Sequence, residues 1–214
     1  MKKSLSNFLL IVCSGLLVVA GSVTTANGQP AAGGYDPTLI TASIDGKGYL
    51  DINYKVGAVY LSEMHFAVPG KPVVKTSAPY LFFASFVFDA TNVRSMRESL
   101  VASCQVRVEI QLTGEDGTDA DSPFKVGTYS PKAENVNGLR MVKVSTFADG
   151  KHTETSFDVM TPGAKAEGYV KVTSVIDGVV RGRINLREGE MFIKGSFAAK
   201  IPQGKKVVSG GTNR

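Results

Sequence analysis

The chain has 214 residues, with 24 Lys or Arg against 19 Asp or Glu and a formal net charge of +5. Hydrophobic residues at 43% and charged residues at 20% exclude a disordered polyelectrolyte, and two Cys exclude a miniature scaffold stapled by disulfides. The mild basicity raises nucleic acid as a partner, a reading that depends on where the charges fall.

Met1-Lys2-Lys3 opens the chain with positive charge, Phe8 to Ala20 is an almost unbroken apolar run, and small residues follow to Ala26. This order predicts a secretory leader over 1–26, cleaved after Ala26 with Thr24 at the minus-three position. The apolar run is too short for a membrane span, which needs about 20 residues. Lipidation at Cys13 is disfavoured, because Val12 stands where a small residue is needed and apolar sequence continues past the Cys. The expected location is therefore periplasmic or extracellular, and the mature chain would keep one Cys and no Asn-x-Ser/Thr sequon.

Residues 27–34 read as a flexible lead-in, 35–201 as one β domain, and 202–214 as a flexible basic tail. Setting aside Lys2, Lys3, Lys200, Lys205, Lys206 and Arg214 leaves 18 bases against 19 acids over residues 4–199. A near-neutral body with interspersed signs gives no nucleic-acid footprint, and only the tail, with Lys205-Lys206 beside Val207-Val208, is left to touch an anionic surface.

Within the body, Asp-Gly pairs at 45–46, 116–117, 149–150 and 177–178 predict tight turns, because both residues tolerate positive φ there. Between them the pattern has period two. Leu50 to Val56 alternates apolar and polar, Val106 to Leu112 repeats this without exception, and each reads as a strand with one buried face. Tyr80 to Phe88 has five aromatics and no charge, which predicts a central strand covered on both sides. Asn92 to Leu100 carries Val93, Met96 and Leu100 at helical spacing behind capping-type residues, and is the one expected helix. Thr153, Thr155, Phe157 and Val159 oppose His152, Glu154, Ser156 and Asp158, and Met191 to Ile201 alternates through the last strand. The expected fold class is all-β: a single antiparallel β-sandwich or barrel-like domain with one short helix near 92–100.

The segments Gly168 to Val175, Asp177 to Ile184 and Ile193 to Phe197, with Phe124 to Tyr129 upstream, resemble strands of secreted bacterial β-sandwich proteins and lipoproteins of uncharacterised function. That resemblance implies the fold and no activity.

Candidate chemistry is sparse. Cys104, counted by twos from Val106, falls on the apolar face and reads as a small buried hydrophobe. His65 reads as a surface residue of a strand. His152 and Ser156 share a strand face but stand about 13 Å apart along it, beyond hydrogen-bond reach, so that face reads as solvated. Ser122-Pro123-Phe124-Lys125 matches S-x-x-K without its companion motifs. The densest feature is Glu115, Asp116, Asp119 and Asp121. It reads either as a solvated acidic hairpin tip or as a calcium loop of non-EF-hand spacing, and no other cofactor is expected.

These readings favour a non-enzymatic binding or structural module of the cell envelope or extracellular space, with an envelope protein or a glycan as partner. The alternative is a carrier of a small apolar ligand, suggested by Tyr80, Phe82, Phe83, Phe86 and Phe88 if the strands close around a cavity. A hydrolytic enzyme stands third, because few polar groups of catalytic type are available to converge.

Overall fold

The structure is a computed structural model and describes residues 39–44, 48–67, 72–131, 138–160 and 163–202. The leader, the lead-in, the Asp45-Gly46 turn and the basic tail beyond residue 202 lie outside the described residues. No helix among the described residues is long and apolar enough to cross a membrane.

The architecture is all-β, as the alternation implies. The strands are β1 (Leu39–Ser43), β2 (Tyr49–Asn53), β3 (Val56–Tyr60), β4 (Glu63–Phe66), β5 (Val74–Ser77), β6 (Tyr80–Ala84) and β7 (Val106–Leu112), followed by β8 (Gly127–Tyr129), β9 (Leu139–Ala148), β10 (Lys151–Ser156), β11 (Glu167–Ile176), β12 (Val179–Glu188) and β13 (Met191–Lys200). One short helix, α1 (Val93–Arg97), stands between β6 and β7. A continuous sheet runs in the order β10-β9-β7-β6-β3-β13-β12-β11-β8, with β1 and β2 branching from β13, while β4 and β5 form a separate hairpin. The sheet curls in a barrel-like wrap. Its non-local joint is a parallel contact of β3 with β13 at Ala58 and Lys200, and a bridge between Ser130 and Gly138 ties the end of β8 to the start of β9.

Inward positions of nearly every strand meet in one packed core. Phe83 stands fully buried at its centre, its ring 5.1 Å from Tyr54 and 5.4 Å from Phe197. The sequence placed Met191 to Ile201 on this side, and Ile193, Phe197, Ala199 and Ile201 are buried in it. Asp149-Gly150 and Asp177-Gly178 turn β9 into β10 and β11 into β12 with φ between 51° and 71°, the mirror-image turn that matches strand twist. A third two-residue hairpin, β12 to β13, turns at Gly189-Glu190 with positive φ at Gly189 alone, a pair the Asp-Gly pattern does not include.

Four local expectations are corrected. The alternation from Leu50 to Val56 spans two strands, because the chain changes partner there: β2 pairs with β1 and β3 with β6. The Tyr54 hydroxyl, at that break, accepts the Ala198 N–H at 2.7 Å. Asp116-Gly117 does not join two adjacent ladder strands. It belongs to a loop stitched to β5, with Gly117 N–H to Lys75 O at 2.8 Å and Gly114 N–H to Ser77 O at 2.8 Å. The aromatic run is strand only to Ala84, after which Val87 is exposed.

The fourth correction concerns β7, which is buried on both faces: Arg107, Glu109 and Gln111 are as enclosed as the apolar set. The cover over Arg107 and Glu109 is α1 and the turn after it, while Gln111 meets Met64 of β4. Met96 of α1 packs on Ala58 and Phe82 as a small second core on the outer side of β3 and β6. Asn92 caps the helix by accepting the Arg94 N–H at 2.9 Å. The helix stops at Arg97 instead of reaching Leu100. The Arg107 guanidinium takes the carbonyls of Met96 at 3.0 Å and Glu98 at 2.7 Å, of which the former would accept from Leu100 in a longer helix.

Candidate functional site

Two places concentrate polar chemistry. The first is a cavity of about 470 Å³ under the loop that links β7 to β8. Leu61, Pro79, Phe124, Tyr129 and Val175 supply apolar wall, while Ser77, Thr118, Glu115, Asp119, Ser122 and Lys125 supply polar groups. These residues come from five separate stretches of chain, which is why no sequence motif announces the site.

Hydrogen bonds fix the loop that roofs this cavity. Thr118 Oγ1 accepts the Ser77 N–H at 2.9 Å, and Asp119 Oδ1 accepts from the Asp121 N–H at 3.0 Å and from the Ser122 hydroxyl at 3.0 Å. A Cβ at Gly114 would stand 2.1 Å from Ser77 Oγ and 2.9 Å from Thr118 Oγ1, so a larger residue there would displace the hydroxyls that stitch the loop to β5. Lys75 Nζ lies 3.3 Å from Glu63 and 3.4 Å from Asp119, joining the β4–β5 hairpin to the loop, and Lys125 pairs with Glu115. The Tyr129 hydroxyl donates to Lys125 O at 2.9 Å, and burial, with the Glu115 charge adding to it, pushes its pKa up to about 12. It is a neutral phenol, a fixed donor in the cavity wall.

The four acids singled out from the sequence do not converge. Glu115 and Asp119 line the cavity and are each held by a lysine, whereas Asp116 sits at the bridge to Thr76 and Asp121 is exposed. Among the described residues no group of three or more His, Cys, Asp or Glu stands close enough to hold a metal ion. Calcium would have to displace Lys75 and Lys125 to gain these oxygens. Ser122 and Lys125 both reach the cavity, but the hydroxyl is committed to Asp119 and the ammonium to Glu115.

The mouth should loosen in acid. Bonds from Ser122 and the Asp121 N–H hold the Asp119 carboxyl below its ordinary pKa, and His65 and Lys75 do the same for Glu63. A depressed folded-state value means that the contribution is complete above the unfolded pKa, about 4 to 4.5, and is lost as pH falls below it. We expect the melting temperature to drop as pH goes from about 4.5 toward 2.5, and Asp119→Asn to flatten that drop.

The second concentration lies on the outer side of β7. Arg107 is 2% exposed, with Nη2 at 3.5 Å from Ser145 Oγ and at 3.8 Å from Glu154, and its Nε has no hydrogen-bond partner among the described residues. Burial lowers its pKa, against the pull of Glu109 and Glu154. Glu109, 4% exposed, accepts from Arg97 Nε at 3.0 Å, and the Arg97 guanidinium also stands 4.5 Å over the Tyr80 ring. Glu154 contacts Lys143 at 2.9 Å, and His152 Nε2 lies 3.6 Å from it. Along the β10 face expected to be solvated, Glu154 and Ser156 are exposed and only His152 is half-buried. The arrangement closes α1 onto the sheet.

The remaining candidates fall apart. Cys104 is exposed, at φ 65° in the turn before β7, because the strand begins only at Val106. His65 is exposed on β4, 3.2 Å from Glu63. Of the aromatics proposed to line a lumen, Phe83 is core, Phe82 lies under α1 and Tyr80 under Arg97, and none borders the cavity. No family model, no curated protein and no solved structure matches this chain.

Proposed function

We propose that the protein is an exported, non-enzymatic binding module that holds a small ligand in the cavity under the 113–126 loop. The observation that carries this reading is the cavity itself. At about 470 Å³ it falls in the usual range for small-molecule sites, roughly 300–1,000 Å³, with apolar walls and a few fixed polar groups. The carrier reading takes a modified form here. The interior of the wrapped sheet is filled by side chains, so the ligand space lies at the mouth and not in a lumen. Of the charged residues that line the cavity, Glu115 and Asp119 outnumber Lys125, which favours a ligand with an apolar body and a cationic head. Export rests on the leader read from residues 1–26.

The test fills the cavity. Val175, half-buried on β11, borders it without belonging to the fully enclosed core, so Val175→Trp adds bulk at the site with modest strain. Calorimetric titration with dodecyltrimethylammonium below its micellar concentration should show saturable binding, at least tenfold weaker in Val175→Trp, and weaker binding of dodecyl sulfate. Unaltered binding in a Val175→Trp protein that melts normally would sink the reading.

A further inference from the structure

The near-neutral charge of the body conceals a segregation that only the strand register reveals. On β12 the residues facing away from the core are Val179, Arg181, Arg183, Asn185 and Arg187, and the last four are exposed. The register sets Lys171 of β11 opposite Arg183, Lys194 of β13 opposite Asn185, and Lys200 of β13 opposite Val179. Lys171, Lys194 and Lys200 are exposed as well. Three neighbouring strands thus present six cations on one outer face. Against them that face carries one acid, Glu167 opposite Arg187, with Asp177 and Glu190 at the hairpin tips. Glu188 has the opposite parity and is half-buried, with its carboxylate accepting the Asp158 N–H at 2.7 Å. Like charges directly across a ladder, as at Lys171 and Arg183, disfavour pairing, so that juxtaposition costs some stability, whereas Arg187 also donates from Nε to Gly189 O at 2.8 Å.

From these positions we infer that the outer face of β11–β13 is a docking strip for a linear anionic glycan, one bearing sulfate or carboxylate groups. Shape decides between the anionic partners. From Arg187 to the level of Lys200 the strip is eight residues long, about 26 Å at 3.3 Å per residue, while β11 and β13 lie only about 10 Å apart. Its flanks carry no cation: β1 and β2 present Thr41 bonded to exposed Asp51, and β8 presents Thr128. A strip that narrow, with an acid at its edge, suits an extended chain better than a membrane plane. Single-stranded nucleic acid would use a row of open aromatic rings. Here Tyr169 is half-buried and Phe192 has the Lys194 ammonium 5.0 Å over its ring. Guanidinium forks match sulfate and carboxylate groups in pairs, and three of the six cations are Arg on one strand. Neutral sugars, which pack on exposed aromatics, are not the class this face fits.

The purified full chain should bind heparin, used as the sulfated and carboxylated probe, in a salt-dependent manner. Arg181→Gln, Arg183→Gln and Arg187→Gln combined should weaken binding at least tenfold and lower the slope of log affinity against log salt by about two to three. Lys55→Gln, Lys151→Gln and Lys165→Gln combined, which remove the same charge at exposed positions elsewhere, should stay within twofold. A chain ending at residue 202 should keep the affinity. Equal losses in the two triple variants, loss on removing the tail, or tighter binding of oligo-dT or of phosphatidylglycerol vesicles than of heparin would each overturn the assignment.

Discussion

Arg107→Met should destabilise the protein by about 3–5 kcal/mol, the range for breaking a buried ionic group by removing one partner. The side chain is 2% exposed and its guanidinium bonds two carbonyls of the α1 segment as well as the Ser145 hydroxyl. Met fills much of the space but leaves the Met96 and Glu98 carbonyls without their donor and Glu109 facing Arg97 alone. Hydrogen exchange should separate this loss from a general one. Amides of residues 89–105 should gain exchange more than those of β11–β13, because Arg107 joins the α1 cover to the sheet. Arg107→Lys should recover only part of the stability, since one ammonium cannot span the acceptors the fork reaches. Equal stability of Arg107→Met and wild type by urea titration would show that the cover is held by Met96 packing alone.

Phe83→Ala should cost about 3–5 kcal/mol by a different route. The ring is fully buried between Tyr54 and Phe197, so truncation opens a hole bounded by β2–β3, β6 and β13, which joins strands distant in sequence. Such a site collapses poorly, because filling it would require shifting a backbone held in ladders on both sides. Phe82→Ala, one residue along, faces α1 instead of the core, and its loss should fall mainly on the helix cover. Urea midpoints for the pair measure how independent the two clusters are. The inner one should show the larger effect together with global loss of near-ultraviolet signal.

The period-two pattern carried most of the fold. Val108, Ile110 and Leu112, and Ile193, Phe197 and Ala199, lie where alternation put them, because a pleated strand leaves a side chain only two directions. What it could not show is whether the opposite face meets water. Arg107, Glu109 and Gln111 look like a solvent face in sequence, and they are enclosed because the α1 segment folds over the first two and Met64 of β4 meets the third. Cys104 was misplaced for a related reason: alternation has no marker for where a strand begins, and a positive φ at 104 ends the extension of the pattern. The cavity was legible only in fragments. Glu115, Asp119, Ser122, Lys125 and Phe124 drew notice as an acidic run, an S-x-x-K match and a strand opening, but Leu61, Ser77 and Val175 join them through tertiary contact alone. The cationic strip was hidden by summation, since a net charge averages over surfaces that never face the same way.

The parallel joint at Ala58 and Lys200, with β1 paired to β13 beside it, sets the order in which the domain can be completed. During synthesis or passage through a membrane from the N-terminus, β1 and β3 emerge long before the strand that completes their ladders. The meander β11–β12–β13, built from two-residue turns, forms by local closure, whereas the wrap must wait for the last ten residues of the body. A chain arranged this way leaves its barrel-like wrap open until nearly all of the body has been made.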